Sequence, residues 1–144
     1  MSDDAVKDIL TFLEEEGVGT YGKLLIRNVT REMRDLGQQY VSCYVSSSAI
    51  APYNVDETDT INLVMQVSGG LGEKGESEGF RLAMQVYRLL NLQCDRIIND
   101  TLYCGIHNTS SPYESQNGDN TLFSWNVELV RYFGDEPIYE EEII

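Results

Sequence analysis

The chain is short of basic residues, of cysteine and of long apolar runs, and each shortage narrows what it can be. It carries 10 Lys and Arg against 24 Asp and Glu, a formal net charge of -14. A nucleic-acid binder needs a basic face that releases counterions from phosphates, so this balance argues against DNA or RNA as a bound partner. The three cysteines, Cys43, Cys94 and Cys104, are an odd number and make no disulfide framework. They are expected as buried thiols in a reducing compartment. No apolar run approaches the roughly 18 residues of a membrane span. The opening MSDDAVKD begins with acids and has no basic region leading into an apolar stretch, so it does not read as a signal peptide, and a cytoplasmic site of synthesis is expected.

What is present is enough for one core. The 144 residues are 42% hydrophobic, without repeats or a low-complexity linker. Residues 1–134 are expected to form a single α+β domain, and 135–144 an acidic C-terminal tail. Residues 3–16, DDAVKDILTFLEEE, read as an amphipathic helix. Val6, Ile9, Leu10 and Leu13 share one face, Ser2 or Asp3 caps the start, and Gly17 ends it in a left-handed conformation. Glu14, Glu15 and Glu16 lie at the wrong end of the helix dipole and are expected to face solvent or a partner.

KLLIRNV (23–29) predicts a short strand, and TREMRDLGQQ a polar stretch; with Arg27, the basic residues Arg31 and Arg34 cluster here. Strands are expected over 40–47 and 60–67, separated by a loop over 50–59; Ile61, Leu63, Met65 and Val67 line one face of the second. A glycine loop then leads to a helix over about 77–91, with Phe80, Ala83, Met84, Tyr87 and Leu90 on one face and apolar residues widening it to two packed sides. Residues 95–110 predict one or two edge-like strands around Asn99–Asp100, and 110–120 a long turn. In LFSWNVELVRYF (122–133), Phe123, Trp125, Val127 and Leu129 point one way and Ser124, Asn126 and Glu128 the other. This order predicts an α+β fold with a mixed or antiparallel β-sheet and helices packed on one face.

The stretch GGLGEKGES places Gly70, Gly72 and Gly75 in the pattern G-x-G-x-x-G between a strand and a helix. A dinucleotide site is disfavoured there. Too little chain follows for a doubly wound domain, Asp95 comes directly after the helix, and Glu73, Glu76 and Glu78 would repel a pyrophosphate. A phosphate-binding lysine loop fails because Lys74 precedes Gly75 and not Ser or Thr. Cys104 and His107, with Cys43 and Cys94, lack the close cysteine pair of a zinc site, and Cys43 and Cys94 read as core positions. Strand parity sends the Cys104 and His107 side chains to opposite faces, against a nucleophile and base pair. No catalytic, cofactor or metal residue is assigned. Tyr40, Tyr44, Tyr53, Tyr87 and Trp125 are read as packing residues and not as base-stacking ones. The residues alone support an acidic protein-binding domain whose strand edges could meet in a ring or stack.

The order of segments resembles the tail terminator (tail completion, minor capsid) proteins of long-tailed bacteriophages over residues 5–133. The likeness rests on the opening helix AVKDILTFLEEEGVG, on the strand, glycine stretch and helix INLVMQVSGGLGEKGESEGFRLAMQVYRLLN, and on the closing SSPYESQNGDNTLFSWNVELVRYF. The chain departs from that pattern where Met65-Gln66-Val67 replaces a more usual arginine, and in its acidic tail. The resemblance implies a hexameric ring in the virion tail that caps the tail tube protein, stops its polymerisation and offers a surface to a head connector or stopper protein. It implies no enzyme activity, no cofactor and no membrane, with DNA passing an acidic lumen without specific binding. Loops 69–79 and 110–120 would then order against neighbours. The expected contacts fall on Gly70, Gly72, Glu73, Lys74 and Glu76, on Asn117 and Asp119, and on Glu140 and Glu141 of the tail. Two rival readings are an acidic DNA mimic or other inhibitor, which a basic enzyme would bind, and a small cofactor domain using Gly70–Gly75.

Overall fold

The computed structural model describes residues 4–50 and 58–132. In chain order the elements are helix α1 (Ala5–Glu15), short helix α2 (Arg31–Asp35), strands β1 (Tyr40–Ile50) and β2 (Thr58–Leu71), and helix α3 (Gly72–Leu89). Strands β3 (Gln93–Ile98), β4 (Thr101–Asn108), β5 (Tyr113–Asn117) and β6 (Asn120–Tyr132) follow. All six strands join one antiparallel sheet in the order β1-β2-β6-β4-β3, with β5 paired to β6. The architecture is α+β, with α1 and α3 packed against the sheet.

Period-two alternation decides the sheet's inner face. Ile61, Leu63, Met65 and Val67 of β2 and Phe123, Trp125, Val127 and Leu129 of β6 are buried, as their spacing predicts. Ile9, Leu10, Phe12 and Leu13 of α1 and Ala83 and Val86 of α3, with Leu90 just beyond it, complete the core. Trp125 anchors its polar edge by donating from Nε1 to Asn108 Oδ1 at 2.8 Å, while Tyr87 meets its ring edge-on at 6.1 Å.

Several boundaries differ from expectation. The cap of α1 is Asp4, which accepts from the Lys7 N–H, and not Ser2 or Asp3. Gly17 does end the helix with φ +87: its N–H and that of Val18 donate to the Glu14 and Leu13 carbonyls, the paired bonds of a Schellman ending. Glu14, Glu15 and Glu16 are exposed, as expected, and Glu14 accepts from the Tyr21 N–H while Glu16 pairs with Arg96. Residues 23–29 form no strand. Leu25, fully buried, makes only isolated bridges to Tyr21 and Val41, because the chain turns at Gly22 before a ladder can grow. The polar stretch holds α2, capped by Thr30. Within 110–120, residues 113–117 are β5 and not turn. The turn at Asn99–Asp100 does separate two strands, and both residues have positive φ, as a tight hairpin requires. Only β3 of that pair is an edge; β4 lies inside, against β6.

The glycine stretch is not a loop. Strand β2 runs to Leu71 and α3 begins at Gly72, so the helix starts about five residues earlier than its apolar pattern suggests. Gly75 and Gly79, four apart on one helix face, lie directly on the end of β2. A Cβ on Gly69 would stand 1.8 Å from the Gly75 carbonyl oxygen and 2.7 Å from the Gly79 Cα. A Cβ on Gly79 would stand 2.9 Å from the Gly69 Cα. The three glycines bring backbone against backbone. The buried stripe of α3 continues through Ala83 and Val86 to Leu90, and Leu82, Tyr87 and Leu89 pack against the core beside it, partly buried. Phe80, expected inside, is 57% exposed and touches the Phe123 ring from the rim.

A buried polar chain crosses the core. Asp8 of α1 is fully buried and accepts hydrogen bonds from the Tyr103 hydroxyl and from Asn99 Nδ2. Arg131 of β6 acts on the same Tyr103 hydroxyl and grips Asp59 of β2 with Nε at 3.2 Å and one terminal nitrogen at 2.8 Å. Burial of each charge would be costly alone; the bidentate pair and its neighbours satisfy it.

Two outcomes follow from this packing. Gly69→Ala should lose about 3 kcal/mol or fail to fold, while Gly105→Ala, where a Cβ meets nothing within 4 Å, should change stability by less than about 1 kcal/mol in urea titrations. Burial also pushes the Cys43 thiol from its ordinary 9.0 up to about 12, and burial with the Asp8 hydrogen bond pushes the Tyr103 phenol well above its ordinary range. Above about pH 9 the unfolded chain therefore releases protons that the folded chain keeps, and stability falls as pH rises. Unfolding midpoints at about pH 8 and about pH 10.5 should show the decline, and Cys43→Ala should make it shallower.

Candidate interaction site

Antiparallel pairing of β2 with β6 brings two separate sequence signals to one end of the sheet. Gly70 lies opposite Thr121 and Leu71 opposite Asn120, while Asn117 pairs Asn120 across the two-residue turn Gly118–Asp119. The glycine stretch and the 110–120 stretch therefore meet. Gly70 is buried with φ +96 at a register shift, and Gly72 opens α3 with φ +69. Glu73 and Glu76 are exposed on the first turns of α3, and Glu73 suits the positive end of its dipole. Lys74 reaches Glu78 at 3.8 Å and stays 82% exposed. Asp119 is exposed in the turn. Glu140 and Glu141 lie outside the described residues.

The third wall of this end is α2, which the sequence reading treated only as polar chain. Asn120 Nδ2 donates to the Arg34 carbonyl at 2.7 Å, tying α2 to the start of β6. Gly37 (φ +66) follows the helix, and a Cβ there would stand 2.3 Å from Leu71 Cγ. Gln39 Nε2 bridges the Gly69 carbonyl and Glu78 Oε1 at 3.3 and 2.7 Å, fixing the segment to α3. Between these walls opens a cleft of about 390 Å³, lined by Arg31, Arg34 and Asp35 of α2, by Leu71, and by Gly118, Asp119 and Asn120. Arg31 and Arg34 form no ion pair among the described residues. Asn120 Oδ1 is buried without a hydrogen-bond partner among them. Leu71 in this lining is 50% exposed, and Leu36, the residue after Asp35, is 68% exposed. The basic cluster at 27, 31 and 34 was the available signal for this wall; the exposed leucines and Asn120 had none.

The cysteine readings change in detail. Cys43 is buried, but Cys94 is exposed and Cys104 half-buried, so Cys94 is not a core position. A bulge between Tyr103 and Gly105 resets strand parity: Tyr103 and Ile106, three apart, are both buried. Cys104 and His107 are therefore not sent to opposite faces by alternation. His107 Nε2 instead lies 3.2 Å from Glu128 Oε1. Among the described residues no group of three or more His, Cys, Asp and Glu is placed to hold a metal ion. Nor is any described helix long and apolar enough to cross a membrane.

Gly37→Ala should cost about 1–2 kcal/mol, because its Cβ meets Leu71 in a left-handed backbone. Hydrogen exchange should localise the loss to amides of residues 33–38, leaving β4 and β6 protected.

No protein-family model matches this chain, and no curated protein does either. Among solved structures, a chain of the "Virion of native gene transfer agent (GTA) particle" is similar to it, with a TM-score of 0.57 and 17% identity over 90% of this chain and 86% of that one. At this identity the likeness shows a shared fold.

Proposed function

We propose that the protein is a structural component of a phage-type virion, and that its role is that of a tail terminator. The observation that carries the reading is the fold shared with a chain of a virion particle along nearly the whole length of both. The order of helix, strand, glycine stretch, helix and aromatic closing strand supports the finer assignment. In this reading copies of the chain assemble as a hexameric ring on the tail tube, stop its growth and present a surface to the head connector. The chain performs no chemistry. Residues 1–134 act as the assembling domain and 135–144 as an acidic appendage. The net charge of -14 suits a passage through which DNA moves without adhering.

The end of the sheet built by α2, Leu71 and the Gly118–Asp119 turn supports a role in contacts, because it joins the exposed Leu71 to Arg31 and Arg34, which form no ion pair among the described residues. Rings require heterologous contacts, in which one patch meets a different patch of the next copy.

Mixed with the tail tube protein, the chain should form particles of about six copies at tube ends and should limit tube length in negative-stain images. Tubes of unaltered length with no bound chain would overturn the assignment.

A further inference from the structure

We propose that the Arg31–Arg34 cleft of one copy receives the acidic C-terminal segment around Glu140 and Glu141 of a second copy of this chain. The inference deepens the ring reading by naming a chain-to-chain contact for it. Charge is the first argument. Among the described residues the ion pairs occupy Arg27, Lys74, Arg96 and Arg131; of the other basic residues, Arg31 and Arg34 stand together in one cleft. Asp35 and Asp119 line the same cleft, yet neither comes within ion-pair distance of these guanidiniums. A chain at -14 repels its own copies over most of its surface, so an acidic segment of a copy is held best where basic groups stand unneutralised.

Pattern is the second argument. The segment reads Pro137-Ile138-Tyr139-Glu140-Glu141-Glu142-Ile143-Ile144, acids flanked by apolar residues. The cleft offers two arginines beside the exposed Leu71, with Leu36 next along the chain from Asp35. Carboxylates suit the guanidiniums, and the flanking isoleucines and tyrosine suit the leucines. Asn120 Oδ1, buried without a hydrogen-bond partner among the described residues, would accept a backbone N–H from an extended segment.

Reach favours an intermolecular contact. Asn120 at the cleft and Tyr132 at the exit are the two ends of the 13-residue β6, roughly 40 Å apart at about 3.3 Å per residue. Glu140 and Glu141 follow Tyr132 by eight and nine residues, a contour of at most about 32 Å even if fully extended. Even with side chains spanning the difference, reaching their own cleft would stretch the segment to nearly its full contour, so a neighbour's cleft is the easier one to enter. Such head-to-tail contacts repeat around a closed ring.

The test uses a labelled GDEPIYEEEII peptide titrated with the full-length chain, read by fluorescence anisotropy. The native chain should bind it, more weakly as salt rises. R31E/R34E should weaken binding at least about tenfold, as should a peptide carrying Glu140→Gln, Glu141→Gln and Glu142→Gln. Arg31→Lys with Arg34→Lys should keep most of the affinity, which separates charge from folding. No binding by the native chain, or equal binding by R31E/R34E, overturns the inference. The ring reading is judged separately. Rings on the tube unaffected by R31E/R34E would remove this contact and leave the ring. Peptide held at the cleft by a chain that forms no ring would do the reverse.

Discussion

The backbone contact between the end of β2 and the first turns of α3 is the constraint on which the rest depends. Gly69, Gly75 and Gly79 let a helix lie against a strand with no side chain between them. That approach sets where α3 can lie, and so which of its residues reach the core: Ala83, Val86 and Leu90 do, and Phe80 does not. It also leaves Leu71 at the turn between strand and helix, half-exposed, where α2 and the β5–β6 turn close around it. A glycine stretch that reads in sequence as a loop is, in three dimensions, a packing seam.

A second constraint holds the far side together. Asp8, Tyr103, Arg131 and Asp59 come from α1, β4, β6 and β2, and none can keep its polar group buried without the others. Dispersed apolar packing would tolerate small shifts among these elements. A chain of charge-assisted hydrogen bonds tolerates fewer, since an unpaired buried charge costs several kcal/mol, on the order of a large part of a domain's stability. The molecule thus has a tightly registered body, with its open polar cleft at one end of the sheet. That division suits a subunit whose contacts lie at its periphery.

Charge distribution links the fold to the proposed role. Many of the acids that the sequence clusters are spent locally: Asp4 caps α1 and pairs Arg27, Glu16 pairs Arg96, and Asp59 pairs Arg131. What remains is an excess of negative surface, with Lys7, Lys23, Arg31, Arg34, Arg81 and Arg88 in no ion pair among the described residues. On such a surface, association between copies is directed by where the opposite sign survives.

Sequence by itself determined the inner face of β2 and β6, the α1 stripe at Ile9, Leu10 and Leu13, and the α+β class. All of these rest on periodicity and turn chemistry, which are local properties. Only the tertiary structure decided the rest. Asp8 carries no sequence signal for burial, yet Tyr103, 95 residues away in sequence, donates to it in the core. Glycines at 69, 75 and 79 read as a loop until a neighbouring backbone fills the space their missing side chains leave. Arg31, Arg34, Leu71 and Asn120 read as unrelated positions until antiparallel pairing and the docking of α2 bring them to one cleft. Each depends on what stands opposite in space, and one-dimensional pattern carries no record of that.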